Sequence, residues 1–142
     1  SSAASDVYKR QNLNVPAYIE NDYLPQAELR LEMYKRLAEC KTLDELEILK
    51  DEIVDRFGPF STTFQNLIEL TKLKIISMPL MIKRIIGTNK RIECTFDSES
   101  PILADNKTNN VLVFNPQEDN SILFLQDTFS TIISNLKLYE AS

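Results

Sequence analysis

Histidine is absent from the 142-residue sequence, which removes the commonest general base and the commonest metal ligand together. Cysteine occurs twice, as Cys40 and Cys94, far apart and without CxxC partners. A zinc site built on them needs two more ligands from carboxylates, an unusual set; a disulfide between them is the other reading, but in a cytosolic chain two reduced, buried thiols are the expectation. Glycine is as scarce, with only Gly58 and Gly87. A loop that cradles phosphate needs several glycines close together, so that backbone N–H groups reach the anion. Neither a Walker-type loop nor a dinucleotide fingerprint can be written with these two. ATP binding by the usual means is excluded, and no cofactor or metal is expected. Long apolar runs are missing too: none approaches the ~20 residues that span a bilayer. The start lacks the basic, apolar, small-residue order of a secretory signal. A cytoplasmic chain with no membrane partner is expected.

What is present is ordinary for one globular domain: 43% hydrophobic and 26% charged residues. Sixteen Lys and Arg stand against 21 Asp and Glu, a net charge of -5. Nucleic-acid affinity rests on cations that neutralise phosphates, so an acidic chain starts badly placed for it. The one basic concentration is Lys83, Arg84, Lys90 and Arg91. It supports an alternative reading, a small nucleic-acid-binding domain using the 83–91 hairpin, marked by salt-sensitive retention on DNA. At the front, Asp6-Val7-Tyr8-Lys9-Arg10-Gln11 matches the in-frame translation of a transposon mosaic end used to build sequencing libraries. Residues 1–11 are therefore expected to be a non-native tail, with the domain over 12–142 taken from a longer protein.

The chain predicts an α+β fold: three helices, a small antiparallel sheet and a last helix. Residues 12–24 form an extended lead-in, and Pro25 suits a first helical turn. Ala27, Leu31, Tyr34 and Ala38, with Leu37 beside them, mark the apolar stripe of a helix over about 26–40. Thr42-Leu43-Asp44-Glu45 is a capping box, in which Thr42 accepts from the Glu45 N–H and Glu45 returns to the Thr42 N–H. Leu46, Leu49, Ile53 and Phe57 give the second helix its buried face. Gly58-Pro59 stops it, with glycine in a left-handed C′ position. A third helix covers about Thr62 to Ser77, ended by Pro79, with Phe64, Leu67, Ile68, Thr71 and Ile75 on one face. Strands are expected at 82–86, 92–96, 111–114 and 122–125, with a polar loop over 97–110. The last helix covers about 127–139, its N-terminus capped by Asp127. Met33, Met78 and Met81 read as packing residues.

Rotated away from the core of the second helix are Asp44, Ile48, Asp51, Glu52 and Asp55: four carboxylates around one aliphatic residue. They read either as a solvated helix face or as an acidic docking surface for a basic patch. A catalytic carboxylate pair is a third reading and requires a concave pocket with a perturbed acid. Arg56 is placed to neutralise the C-terminus of the same helix.

The helical half resembles the C-terminal domain of the bacterial transcription-repair coupling factors, superfamily 2 DNA translocases. The residues that carry the resemblance are Asn21-Asp22-Tyr23-Leu24-Pro25, Arg30 through Ala38, Lys41-Thr42 and Asp55-Arg56-Phe57-Gly58-Pro59, in the right order and spacing over roughly 16–76. The resemblance implies a non-catalytic regulatory domain, with ATP site, DNA grip and polymerase-binding module in other parts of the parent. It implies that the domain docks on the N-terminal UvrB-like module of the same polypeptide. Docking hides the surface that recruits UvrA until a stalled RNA polymerase is engaged. It also places interdomain contacts at Glu52 and Asp55.

Overall fold

The computed structural model describes residues 11–13, 15–103, 110–117 and 120–141. Residues 1–10 of the expected tail and 104–109 of the expected loop lie outside them. The described residues fall into two compact units, 15–75 and 11–13 with 76–141.

In the first unit, α1 (Ala27–Glu39), α2 (Leu43–Phe57) and most of α3 (Thr62–Ser77) surround one apolar core. The α1 stripe differs from expectation. Met33 and Leu37 are fully buried, with Leu29 and Tyr34 packed beside them, whereas Leu31 is 71% exposed and Ala27 lies in solvent. The stripe through Leu29, Met33, Leu37 and Cys40 carries larger side chains than the one with two alanines. Burial scales with apolar area, so the helix turns that face inward. On α2 the expected residues face the core: Leu46, Leu49 and Ile53 are buried and Phe57 packs at the edge. Thr42 Oγ1 accepts from the Glu45 amide at 3.1 Å. Glu45 returns to the Lys41 N–H at 3.0 Å, one residue before the expected donor. Gly58 ends α2 with φ +92° and ψ -175°. That is not the left-handed helical conformation expected but an extended one that is essentially glycine's alone. It directs the chain straight into Pro59. The lead-in is stitched to the helices: Tyr18 N donates to Thr63 O at 3.2 Å, Asn66 Nδ2 to Pro16 O at 2.9 Å, and Thr63 Oγ1 to Glu20 at 2.8 Å.

The second unit holds a four-stranded sheet of order β1 (Gln11–Asn12), β2 (Ile82–Gly87), β3 (Ile92–Phe96) and β4 (Val111–Phe114). β2, β3 and β4 are antiparallel as expected. β1 adds a two-residue parallel edge, Gln11 opposite Ile85 and Asn12 opposite Ile86. Ile85, Ile92, Cys94 and Phe96 are buried. Phe114 of β4 meets Phe124 and Phe129 of the C-terminal helix, ring centroids 6.0 and 6.4 Å away. That helix, α4, spans Ser121–Ala141. The strand expected at 122–125 is its first turn and a half. Asp127 lies inside it, and the cap is Asn120, whose Oδ1 accepts from Leu123 N at 3.0 Å. An apolar run of four has no period of its own, and here the cap and the continuing Leu125–Phe129 spacing decide for helix. The 97–110 loop contains a 3-10 turn, Pro101–Leu103. A second one, Met78–Leu80, follows α3, and its Met78 and the following Met81 are 44% and 40% exposed rather than packed.

Candidate functional site

Asp44, Ile48, Asp51 and Asp55 follow one another at i, i+4, i+7 and i+11 along α2. All four are exposed, Ile48 to 69%. At 1.5 Å per residue the stripe is about 16 Å long. Neither Asp44, Asp51 nor Asp55 forms an ion pair with a described residue. The capping box fixes the start of this face and Gly58 its end, while the Leu46–Ile53 core contacts fix its rotation. The stripe is a rigid row of three carboxylates around one exposed aliphatic side chain. It is suited to a surface that brings cations and a small apolar patch.

Glu52 behaves differently from its neighbours. Arg36, on α1, grips both of its oxygens: Nη1 is bonded to Oε2, and Nη2 reaches Oε1 at 2.9 Å. Arg56, one turn later on α2, adds Nη1 to Oε2 at 3.4 Å. The hydrogen bonds from Arg36 hold the Glu52 carboxyl down at about 2, with Arg56 contributing less. The same bond raises Arg36 above its ordinary value. Glu52 thus faces α1 as much as solvent, and the structure separates it from the three aspartates with which the sequence grouped it. The Glu52–Arg56 spacing is legible in the sequence. Arg36 is sixteen residues from Glu52 on another helix, and no local signal marks it.

The remaining motif residues serve the scaffold. The Arg56 guanidinium lies 4.8 Å from the Phe57 ring centroid while it reaches Glu52. The Tyr34 hydroxyl oxygen accepts from the Ile19 N–H at 2.8 Å, which ties the lead-in to α1. Tyr23, which the resemblance included without a role, donates from its hydroxyl to Gly58 O at 2.6 Å. Burial raises its phenol above the usual value. Its ring stands edge-on to Phe64 at 5.2 Å.

The basic hairpin is partly neutralised by its own sheet. Lys83 lies 3.8 Å from Asp97, and Arg91 3.1 Å from Glu93. Arg84 and Lys90 are exposed. A shallow depression on α4, lined by Phe124, Asp127, Thr128, Thr131 and Ile132, contains one carboxylate, Asp127. The acid pair that a carboxylate mechanism asks for is not brought together there. No helix among the described residues is long and apolar enough to cross a membrane.

Comparison with known proteins agrees with the helical motifs. A family model of the TRCF domain matches residues 13–107. The transcription-repair-coupling factor of Haemophilus influenzae is 41% identical over 73 residues, 51% of this chain and 6% of that protein. Its Escherichia coli counterpart is 35% identical over 78 residues, 55% of this chain and 7% of that protein. The chain therefore spans less than a tenth of the length of these relatives. A crystal structure of a C-terminal domain of transcription-repair coupling factor superposes with a TM-score of 0.72. It covers 86% of this chain and 91% of its own at 20% identity, a likeness of fold.

Proposed function

This chain belongs to the TRCF domain family, and from that premise we propose that it is a non-catalytic docking domain of a cytoplasmic transcription-repair coupling factor. The acidic face of α2 is its binding surface. Its partner is a basic surface on the N-terminal UvrB-like module of the same polypeptide. Docking covers the surface that recruits UvrA, and engagement of a stalled RNA polymerase releases it. ATP hydrolysis and DNA translocation belong to other parts of the parent protein, through which alone this domain is linked to UvrA and RNA polymerase.

The observation that carries this reading is the row Asp44, Ile48, Asp51 and Asp55, exposed and without ion pairs among the described residues. Glu52, where the resemblance also put an interdomain contact, is occupied by Arg36 and Arg56. Reversing its charge would disturb the fold as well as the face. The clean test therefore reverses Asp51 and Asp55 to lysine and adds Ile48→Ser as a separate variant. Close charge pairs at interfaces steer encounter and fix register. The double reversal is expected to weaken binding to the N-terminal module by about tenfold or more, ~1.4 kcal/mol per factor of ten. Ile48→Ser is expected to weaken it without changing its salt dependence. Binding is measured by calorimetric titration, with circular dichroism to establish folding. A folded double variant that binds as tightly as the parent reduces this face to plain solvated surface.

A further inference from the structure

We propose that Arg36 withholds Glu52 from the docking face, so that an ion pair inside the domain sets the strength of docking. This rests on the docking reading above. Glu52 follows Asp51 directly, four residues after Ile48 and three before Asp55, and so borders the exposed row. Its side chain is 37% exposed, open to solvent on the border of that row. A carboxylate offers about four acceptor positions. Arg36 takes two of them through its planar fork, and Arg56 a third. Fork-to-carboxylate pairing is the strongest common form of this contact, and a guanidinium brought by a partner finds the same chemistry already satisfied. The three aspartates have no such internal partner among the described residues. With Arg36 and Arg56 both on Glu52, the charge of that carboxylate is offset within the domain, where the sequence alone suggests a free negative charge. Arg36 is thus a positioning residue with two effects: it fixes α2 on α1 and it lowers the charge the face presents.

The test is a double-mutant cycle on Arg36→Met and Glu52→Gln, with Arg36→Lys as a milder variant, in titrations against the N-terminal module of the same polypeptide. Arg36→Met is expected to tighten docking by about twofold to fivefold, the range of one exposed charge pair, and the gain should shrink in high salt. Arg36→Lys keeps the charge but loses the fork, and should give a smaller gain in the same direction; it carries the test if Arg36→Met does not fold. Adding Glu52→Gln to either should abolish the gain. A residue that only supported the fold would weaken docking or leave it unchanged when removed. Folded variants with unchanged or weaker docking overturn the proposal, as does a gain that persists without the Glu52 carboxylate. Carboxyl carbon shifts give a readout independent of the partner. Glu52 should titrate near 2 in the parent chain and move upward in Arg36→Met, whereas ordinary titration in the parent overturns the proposal. Absence of docking by the parent chain removes the docking reading and this inference with it. A missing gain with parental docking intact strikes this inference alone.

Discussion

Glu52 links stability to pH, and the sign follows from its partners. Its folded value lies near 2 against an ordinary 4.5. A carboxyl depressed by folding stabilises fully above its unfolded value and loses that contribution as pH falls through the folded one. Urea midpoints should therefore drop between pH 5 and pH 2, and Glu52→Gln should flatten that part of the profile. The two glycines make a sharper comparison. From sequence, Gly58→Val is expected to be the more damaging change and Gly87→Ala the milder. For alanine at both positions, the structure puts the greater obstacle at Gly87. A Cβ on Gly58 meets nothing within 4 Å, so its cost is that of the backbone conformation, about 1–3 kcal/mol. A Cβ on Gly87 meets Arg91 O at 2.2 Å and the Ile92 Cα at 2.6 Å, both backbone atoms that cannot step aside. Gly87→Ala should lower the thermal midpoint more than Gly58→Ala. Sequence could not order them, because the obstacle at Gly87 is the opposite strand. Cys40 and Cys94 are both free and buried, as expected of two thiols in a chain read as cytoplasmic. Burial pushes the Cys94 thiol up to about 12. It should react with a thiol reagent only when the fold opens.

Among the elements, α2 and α3 are the most legible. Each has its own stop, and α2 has a start that needs no tertiary information. Thr42 and Glu45 satisfy N–H groups through local bonds that need no core, and Gly58-Pro59 ends the helix through backbone sterics alone. α1 is legible as a helix but not in rotation, since Leu31 and Met33 compete and only packing decides. Met33→Ala should cost about 2–5 kcal/mol as a cavity-forming change, while Leu31→Ala should stay within about 0.5 kcal/mol. Equal losses in chemical denaturation would contradict the rotation described. Ser121–Leu125 was illegible for another reason. Ile-Leu-Phe-Leu suits a strand as well as a helix, and its helical cap, Asn120, sits among the Asn-Pro and Asn residues that read as a turn. Of the candidate site, the aspartate row is present in the spacing itself. The grip of Arg36 on Glu52 is a tertiary fact, because it depends on which helix lies beside α2.

At the scale of the whole molecule, the chain carries its net charge of -5 with an acidic row in one compact unit that is unpaired among the described residues, and partly paired cations in the other. The non-native tail expected over 1–11 is narrowed by the pairing of Gln11 with Ile85, and the first ten residues are proposed to be that tail. Their removal should leave the urea midpoint unchanged to within about 1 kcal/mol, the size of an ordinary mutational effect, while Gln11 and Asn12 stay in place beside β2. The lead-in over 15–24 is the opposite case, held by partners up to 50 residues away in sequence. One of its bonds is unusual: the Ile19 amide is satisfied by a phenol, the Tyr34 hydroxyl, and not by another peptide. Amide proton exchange can therefore be made to report on that one latch. Tyr34→Phe strips the acceptor while keeping the ring, and Ile19 should then trade its proton for deuterium much faster. Amides deep in α3 should keep the slow exchange that only global unfolding releases. The lead-in would open as a local event, on a clock separate from the rest of its unit.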